Sequence, residues 1–386
     1  MTERAYLDWN ATAPLRPGAR AGILAALDQV GNPSSVHAEG RAARQLIERA
    51  CAQVAALSGT DPANVIFASG ATEANAMALS PGWSAKPGQP ALGWLLVSAV
   101  EHPSVVEGGR FGRDRTRTIP VDSQGVVERD ALRALLVGAP ALVSVMLANN
   151  ETGVVQPICE IAEIVHEAGG LLHVDAVQVP GRMSFSFSDL RADLMTVSAH
   201  KVGGPKGVGA LIRKAGLHLS DPLIRGGGQE RGLRAGTENV AGIAGFGAAA
   251  AEITACWSAE AAHALRLRRR LETGLRGVTP DVIIFGEKVD RLPNTTSFSH
   301  PGLRAETAVI AFDLEGAAVS SGAACSSGKV QPSSVLAAMG VDPALARGAI
   351  RVSTGYSTKD ADIDRFLSAW IKLSESLLKG RKVIAA

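Results

Sequence analysis

The sequence has no run of about 18 or more apolar residues of the kind a membrane-spanning helix needs. Its most apolar stretch, Ala241 to Ala255, is interrupted by Gly242, Gly245, Gly247 and Glu252. The opening MTERAYLDWN has two acids, an arginine and no apolar h-region, so a cytoplasmic protein without a secretory signal is expected. Neither sign of charge is in excess. Lys and Arg total 39 against 37 acids, a net charge of +2, which gives no reason to expect nucleic acid. The run Arg266, Arg268, Arg269, Arg270 reads as the wet face of a helix. The four cysteines, Cys51, Cys159, Cys256 and Cys325, form no CxxC pair, and no His cluster has metal-ligand spacing. A disulfide framework and a metal site are therefore not expected. The glycine-rich stretch GGPKGVG, Gly203 to Gly209, lacks the closing Gly-Lys-Ser/Thr of a phosphate loop. Gly328-Lys329 is followed by Val330 where such a loop needs a hydroxyl. No internal repeat or low-complexity tract is visible.

What is present is a globular composition, 46% hydrophobic and 20% charged over 386 residues, too long for one small core. Helical spacing runs from about Pro17 to Asp28 and from Arg41 to Leu57, where Cys51 reads as core packing. Beyond these, short apolar runs alternate with helical patterns. Strands are expected at Val65–Ala68, Leu95–Ala99, Leu142–Leu147, Leu171–Asp175 and Leu194–Ala199, with helices from about Thr72, over Glu128–Leu136 and over Ile158–Glu167. This alternation predicts an α/β fold with a mostly parallel sheet covered by helices. From about Glu260 the texture changes to a long charged helix followed by short strands at Val282–Phe285, Thr295–Ser299, Val309–Asp313 and Ile350–Ser353. A large domain over 15–258 and a smaller α+β domain formed by 1–14 and 259–386 are expected.

In such sheets ligands gather at the carboxyl ends of the strands, and four strand ends carry polar groups. Ser69-Gly70-Ala71-Thr72-Glu73 offers free N–H groups and a hydroxyl at a helix start, either a phosphate site or a simple Thr cap. Glu101-His102-Pro103 ends a strand with an imidazole, either a hydrogen-bonded core residue or a group that stacks on a flat ring and moves protons. HVDAVQ puts Asp175 and Gln178 after a buried strand, as a turn cap or as a carboxylate in need of a cationic partner such as a protonated ring nitrogen. Ser198-Ala199-His200-Lys201 ends in an amine that is either solvated or, if held partly out of water, a Schiff-base former with an aldehyde cofactor. The four together describe the needs of pyridoxal phosphate.

From YLD at Tyr6 to RVSTG at Arg351, the stretches YLDWNATAPL, GNPSSVHAEGR, SGATEAN, EHPSV, NNETGVVQPI, HVDAVQ, SAHKVGGPKGVG, RGGGQERGLRAGTEN and SSGAACSSG follow one another in a known order. With them the chain resembles the cysteine desulfurases, the NifS/IscS-like branch of the fold-type I pyridoxal-phosphate enzymes of the class V aminotransferase family. The resemblance implies that Lys201 bonds the cofactor aldehyde, Asp175 meets its pyridinium nitrogen, and His102 stacks on its ring. Asn150 and Gln178 would contact its phenolic oxygen, Ala71, Thr72, Ser198 and His200 its phosphate, and Thr237 the phosphate of the other subunit of a homodimer. Arg351 would bind the substrate carboxylate, a task suited to a bidentate guanidinium.

The resemblance also makes Cys325 the nucleophile that takes sulfur from L-cysteine, leaving L-alanine, and passes it to an acceptor or iron-sulfur scaffold protein. The small residues of SSGAACSSG agree, reading as a loop that can carry a thiol between sites. The entry motif departs from relatives at Trp9 and Ala13, and the C-terminal GRKVIAA shows no docking signature. A selenocysteine lyase or related aminotransferase would use the same pocket, and a docking platform in a sulfur-transfer complex is a reading from another class.

Overall fold

The computed structural model describes residues 4–85, 91–138, 140–322 and 333–384, with side chains as far as 375. A seven-stranded sheet forms its centre: β1 (Val65–Ala68), β2 (Trp94–Ser98), β3 (Thr116–Ile119), β4 (Ala141–Met146), β5 (Leu171–Asp175), β6 (Leu194–Ser198) and β7 (Gly209–Arg213). Their order is β1-β7-β6-β5-β4-β2-β3. Pairs among β2 to β6 are parallel, and β7 runs antiparallel to both of its neighbours, so six of the strands end on one edge. Both faces are buried because alternate residues serve different cores. Phe67, Leu96, Val143 and Val197 belong to one apolar cluster, and Ile66, Leu95, Leu142 and Leu194 to another. This accounts for the near-continuous apolar runs in the sequence.

Helices cover the sheet. The helix α1 (Pro17–Leu27) is followed by α2 (Ala38–Ser58), in which Ala43, Ile47, Ala50 and Val54 recur at helical spacing on the buried side. Then come α3 (Ala71–Ala78), α4 (Arg129–Leu135) and α5 (Ile158–Glu167). The helix α6 (Val240–Val278) is 39 residues long, and the boundary expected between 258 and 259 falls inside it. It is long and apolar enough to cross a membrane by length and composition, but in the fold it packs along α1 and α2. Its glycines, which look like interruptions in the sequence, are contact points. A Cβ at Gly247 would stand 2.6 Å from the Ala50 Cα, and one at Gly245 2.5 Å from the Ile23 Cγ1.

The C-terminal half of α6 and the last helix, α8 (Asp360–Ile384), frame a smaller antiparallel sheet of Ile283–Ile284, Thr295–Ser299, Ile350–Ser353 and Ser320–Ser321, in that order. Arg266 and Arg270 are ion-paired to Asp360 and Asp364, so half of the arginine run ties two helices together. Phe298, Phe312, Phe366 and Trp370 fill this core, with the Phe312 and Phe366 rings stacked at 4.6 Å. Ala5–Tyr6 pairs in parallel with Ala317–Ala318, and Ala5 and Leu7 enter the same core. One expectation is overturned here. Val309–Asp313, read as a strand, lies within a helix, α7 (Ala305–Leu314). Its buried residues, Ala305, Ala308 and Phe312, follow helical spacing, while Ile310 and Leu314 are exposed. Four apolar residues in a row, Val309–Phe312, do not by themselves distinguish strand from helix.

Candidate active site

A cavity of about 1070 Å³ opens at the carboxyl edge of the central sheet. Ala71, Thr72, His102, Asn150, Asp175, Gln178, Ser198, His200, Lys201 and Arg351 all line it. They arrive from five strand ends of the central sheet and from the smaller sheet, so the topology and not the local sequence brings them together.

Lys201 closes a 3-10 turn, Ala199–Lys201, that follows β6 directly. Its Nζ donates to the carbonyls of Asn10 at 2.6 Å and Ala11 at 2.9 Å, so the N-terminal segment holds the amine. The glycines after it serve mainly chain packing. A Cβ on Gly209 would lie 2.6 Å from the Gly70 carbonyl carbon, and one on Gly203, with φ +82°, 2.6 Å from the Arg16 Cγ. Gly207 lines the cavity and has open space beside it.

The start of α3 has Gly70 at its N-cap and no side-chain cap, which leaves N–H groups and the positive end of the helix dipole towards the cavity. Glu73 in this turn accepts from the Ser69 N–H at 2.8 Å and pairs with Arg234. Nearby, the Ser198 hydroxyl is buried without a hydrogen-bond partner. Asp175, at the end of β5, is 6% exposed. Its Oδ2 accepts from Asn75 Nδ2 at 3.0 Å and its Oδ1 from the Val177 N–H at 3.0 Å. His102 caps the short helix Pro103–Val106, its Nδ1 accepting from the Ser104 N–H at 3.1 Å, which leaves the proton of the neutral ring on Nε2. Arg351 forks between Asp8 Oδ1 at 2.8 Å and the Asn150 carbonyl at 2.9 Å. Its Nε is buried and unpartnered.

Electrostatics favour uncharged bases. Removal from water, helped by Arg351 and Arg182 and opposed by Asp8 and Asp175, brings the Lys201 amine down to about 7. His200 is pushed down to about 4 by burial, with Lys201 and Lys206 adding to the effect. His102 is lowered by desolvation and by Lys201, against the pull of Asp175. Deeper in, Glu101 accepts from the Met146 N–H at 2.7 Å, and burial beside Asp175 raises its carboxyl well above the usual range.

Two expected residues are not in this set. Thr237 is exposed and does not line the cavity. Cys325 lies outside the described residues; Ser320 and Ser321, shortly before it in the chain, line the cavity. Sequence reasoning did not find Asn10, Asn75, Arg182 or Glu101. Only spacing could have pointed to Asn75, three residues after Thr72 on α3, or to Arg182, four residues after Gln178; Asn10 and Glu101 act through partners far away in the chain.

The family model for the class-V aminotransferases matches residues 5–366. A cysteine desulfurase of Cereibacter sphaeroides is 43% identical over 376 residues, covering 95% of this chain and 94% of that protein. The cysteine desulfurase IscS of Dictyoglomus turgidum is 38% identical, covering 98% of this chain and 96% of its own. Among solved structures, a NifS-like protein of Rickettsia africae superposes with a TM-score of 0.87 at 35% identity, covering 97% of this chain and all of that one. The structure of SspA in complex with cysteine is 26% identical, with a TM-score of 0.74, and covers 90% of this chain and 98% of its own.

Proposed function

This chain belongs to the class-V aminotransferase family, and we propose that it is a cysteine desulfurase that uses pyridoxal phosphate to take sulfur from L-cysteine and release L-alanine. The observation that carries this reading is the convergence, in one cavity, of an amine held near neutrality and an oriented carboxylate. Similarity to cysteine desulfurases over nearly the whole chain supports the choice of reaction over other chemistries of the family.

The residues present fit the cofactor. The uncapped start of α3 and the unpartnered Ser198 hydroxyl suit a phosphate, with Ala71, Thr72 and His200 around it. Asp175, its oxygens fixed by Asn75 and the Val177 N–H, would hold the proton of the pyridine nitrogen through a charge-assisted bond. His102 would lie against the ring, and Asn150 and Gln178 near its phenolic oxygen. When bound, the group withdraws the electron pair left at the substrate Cα, a task for which no side chain is equipped.

The rest of the work falls to this chain. Arg351, already oriented by Asp8 and Asn150 on the cavity wall, would bind the substrate carboxylate. The Lys201 amine, its pKa brought down to about 7 by removal from water, has a substantial neutral fraction at pH 7 and takes the proton from Cα. An ordinary lysine would be neutral in only about one molecule in 2,500 at that pH. His102 moves a proton to or from the substrate through Nε2. The Cys325 thiolate attacks the substrate sulfur. The new S–S bond forms as the C–S bond breaks, its pair goes to Cβ, Cβ takes a proton, and Lys201 returns a proton to Cα to give alanine. The persulfide left on Cys325 passes to an acceptor, including iron-sulfur scaffold proteins. The same reading makes the enzyme a cytoplasmic homodimer in which Thr237, exposed on one protomer, reaches the phosphate bound to its partner.

Borohydride reduction of the cofactor-loaded enzyme, followed by peptide mapping, tests this. The label is expected on the Lys201 peptide, and a label elsewhere would refute the assignment.

A further inference from the structure

Arg182 is a buried cation, 9% exposed, and its described hydrogen bonds all go to neutral acceptors. They run to the Gln178 carbonyl at 2.9 Å, to Gln178 Oε1, and to the Trp9 carbonyl at 3.4 Å. Burying a guanidinium without a carboxylate is costly, so the position calls for an explanation. The local chain is built for the contact. Gly181 takes φ +81°, a conformation that glycine adopts without strain, and the turn returns Arg182 onto Gln178 four residues earlier.

The contact settles which way the Gln178 amide points. With Oε1 held by the guanidinium, Nε2 donates to the Asn10 carbonyl at 3.1 Å. The reversed amide would set N–H against guanidinium and oxygen against carbonyl. The same Asn10 carbonyl accepts from Lys201 Nζ at 2.6 Å. A chain therefore runs from guanidinium to amide to carbonyl to the reacting amine.

We propose that Arg182 is a positioning residue for Lys201: it fixes the Gln178 amide and, through it, the Asn10 carbonyl that grips the amine. Its charge acts in the same direction. Arg182 and Arg351 disfavour the protonated amine, Asp8 and Asp175 favour it, and His102 and His200 are the other titratable groups beside it. The proposal rests on the reading of Lys201 as the cofactor-binding amine.

The test is a visible-absorption pH titration of the pyridoxal-phosphate-loaded enzyme, with borohydride mapping of the wild type alongside it. In Arg182→Met the titration midpoint should rise by about one unit, because a cation that opposes protonation is gone. Arg182→Lys keeps the charge and should stay close to wild type. A merely structural role would lower thermal stability and leave the midpoint in place. Should Arg182→Met fail to fold, Arg182→Gln carries the same expectation. A neutral variant that titrates like the wild type, while the wild type labels at Lys201, overturns the proposal alone. A wild-type label elsewhere than Lys201 overturns both this proposal and the cofactor assignment beneath it.

Discussion

Ser198→Ala should act with opposite sign in the cofactor-free and cofactor-loaded protein. The Ser198 side chain is 1% exposed and its hydroxyl has no hydrogen-bond partner. An unsatisfied buried polar group costs about 1–3 kcal/mol, so deleting this one should leave the cofactor-free fold as stable as before or more stable by about 1 kcal/mol. The loaded enzyme should lose a hydrogen bond to a charged phosphate instead, about 1.5–3 kcal/mol. That corresponds to roughly 10- to 150-fold weaker binding of pyridoxal phosphate. Urea unfolding of the cofactor-free protein gives the first number, and absorbance titration with pyridoxal phosphate gives the second. Lower stability without cofactor would mean that the hydroxyl has a partner in the empty fold. Unchanged affinity would mean that the phosphate does not reach Ser198.

The raised carboxyl of Glu101 fixes a sign for the pH dependence of stability. A carboxyl whose folded pKa lies above its unfolded one, about 4.3, stabilises fully below that pH and loses its contribution as pH climbs towards the folded value. Glu101→Gln should therefore match the wild type in acid and then gain on it by about 1.4 kcal/mol per pH unit. Parallel unfolding curves across that window would contradict the assignment. Cys325→Ala should keep its cofactor spectrum and still bind cysteine, while alanine formation falls at least a hundredfold; near-normal turnover would remove the thiol from the mechanism.

Much of the central fold was legible because a strand buried on both faces shows itself as an unbroken apolar run. The apolar patterns at Val65–Ala68, Ile158–Glu167 and Leu171–Asp175 have the same bounds as the elements they form. Where the same signal was short and lay outside the sheet, at Val309–Asp313, it misled, because helix and strand are equally consistent with so short a run. The glycines at the start of α6 misled in the other direction. Gly245 and Gly247 look like breaks, but they are where the helix meets Ile23 and Ala50, a fact visible only once the partners are in place. Lys201, Asp175 and His102 could be found because each ends an apolar run. Their supporting groups could not. Asn10 reaches Lys201, and Asn75 reaches Asp175, across more than ninety residues of chain; spacing on α3 hints at Asn75, and nothing local marks Asn10.

The reaction is defined by where the sulfur goes. The direct measurement is mass spectrometry of the cysteine-containing peptides after the loaded enzyme has been given L-cysteine without an acceptor. One added sulfur is expected on the Cys325 peptide, removable by thiol, with alanine formed in equal amount. Alanine formed with the extra sulfur on Cys51, Cys159 or Cys256, or on no cysteine at all, would contradict it.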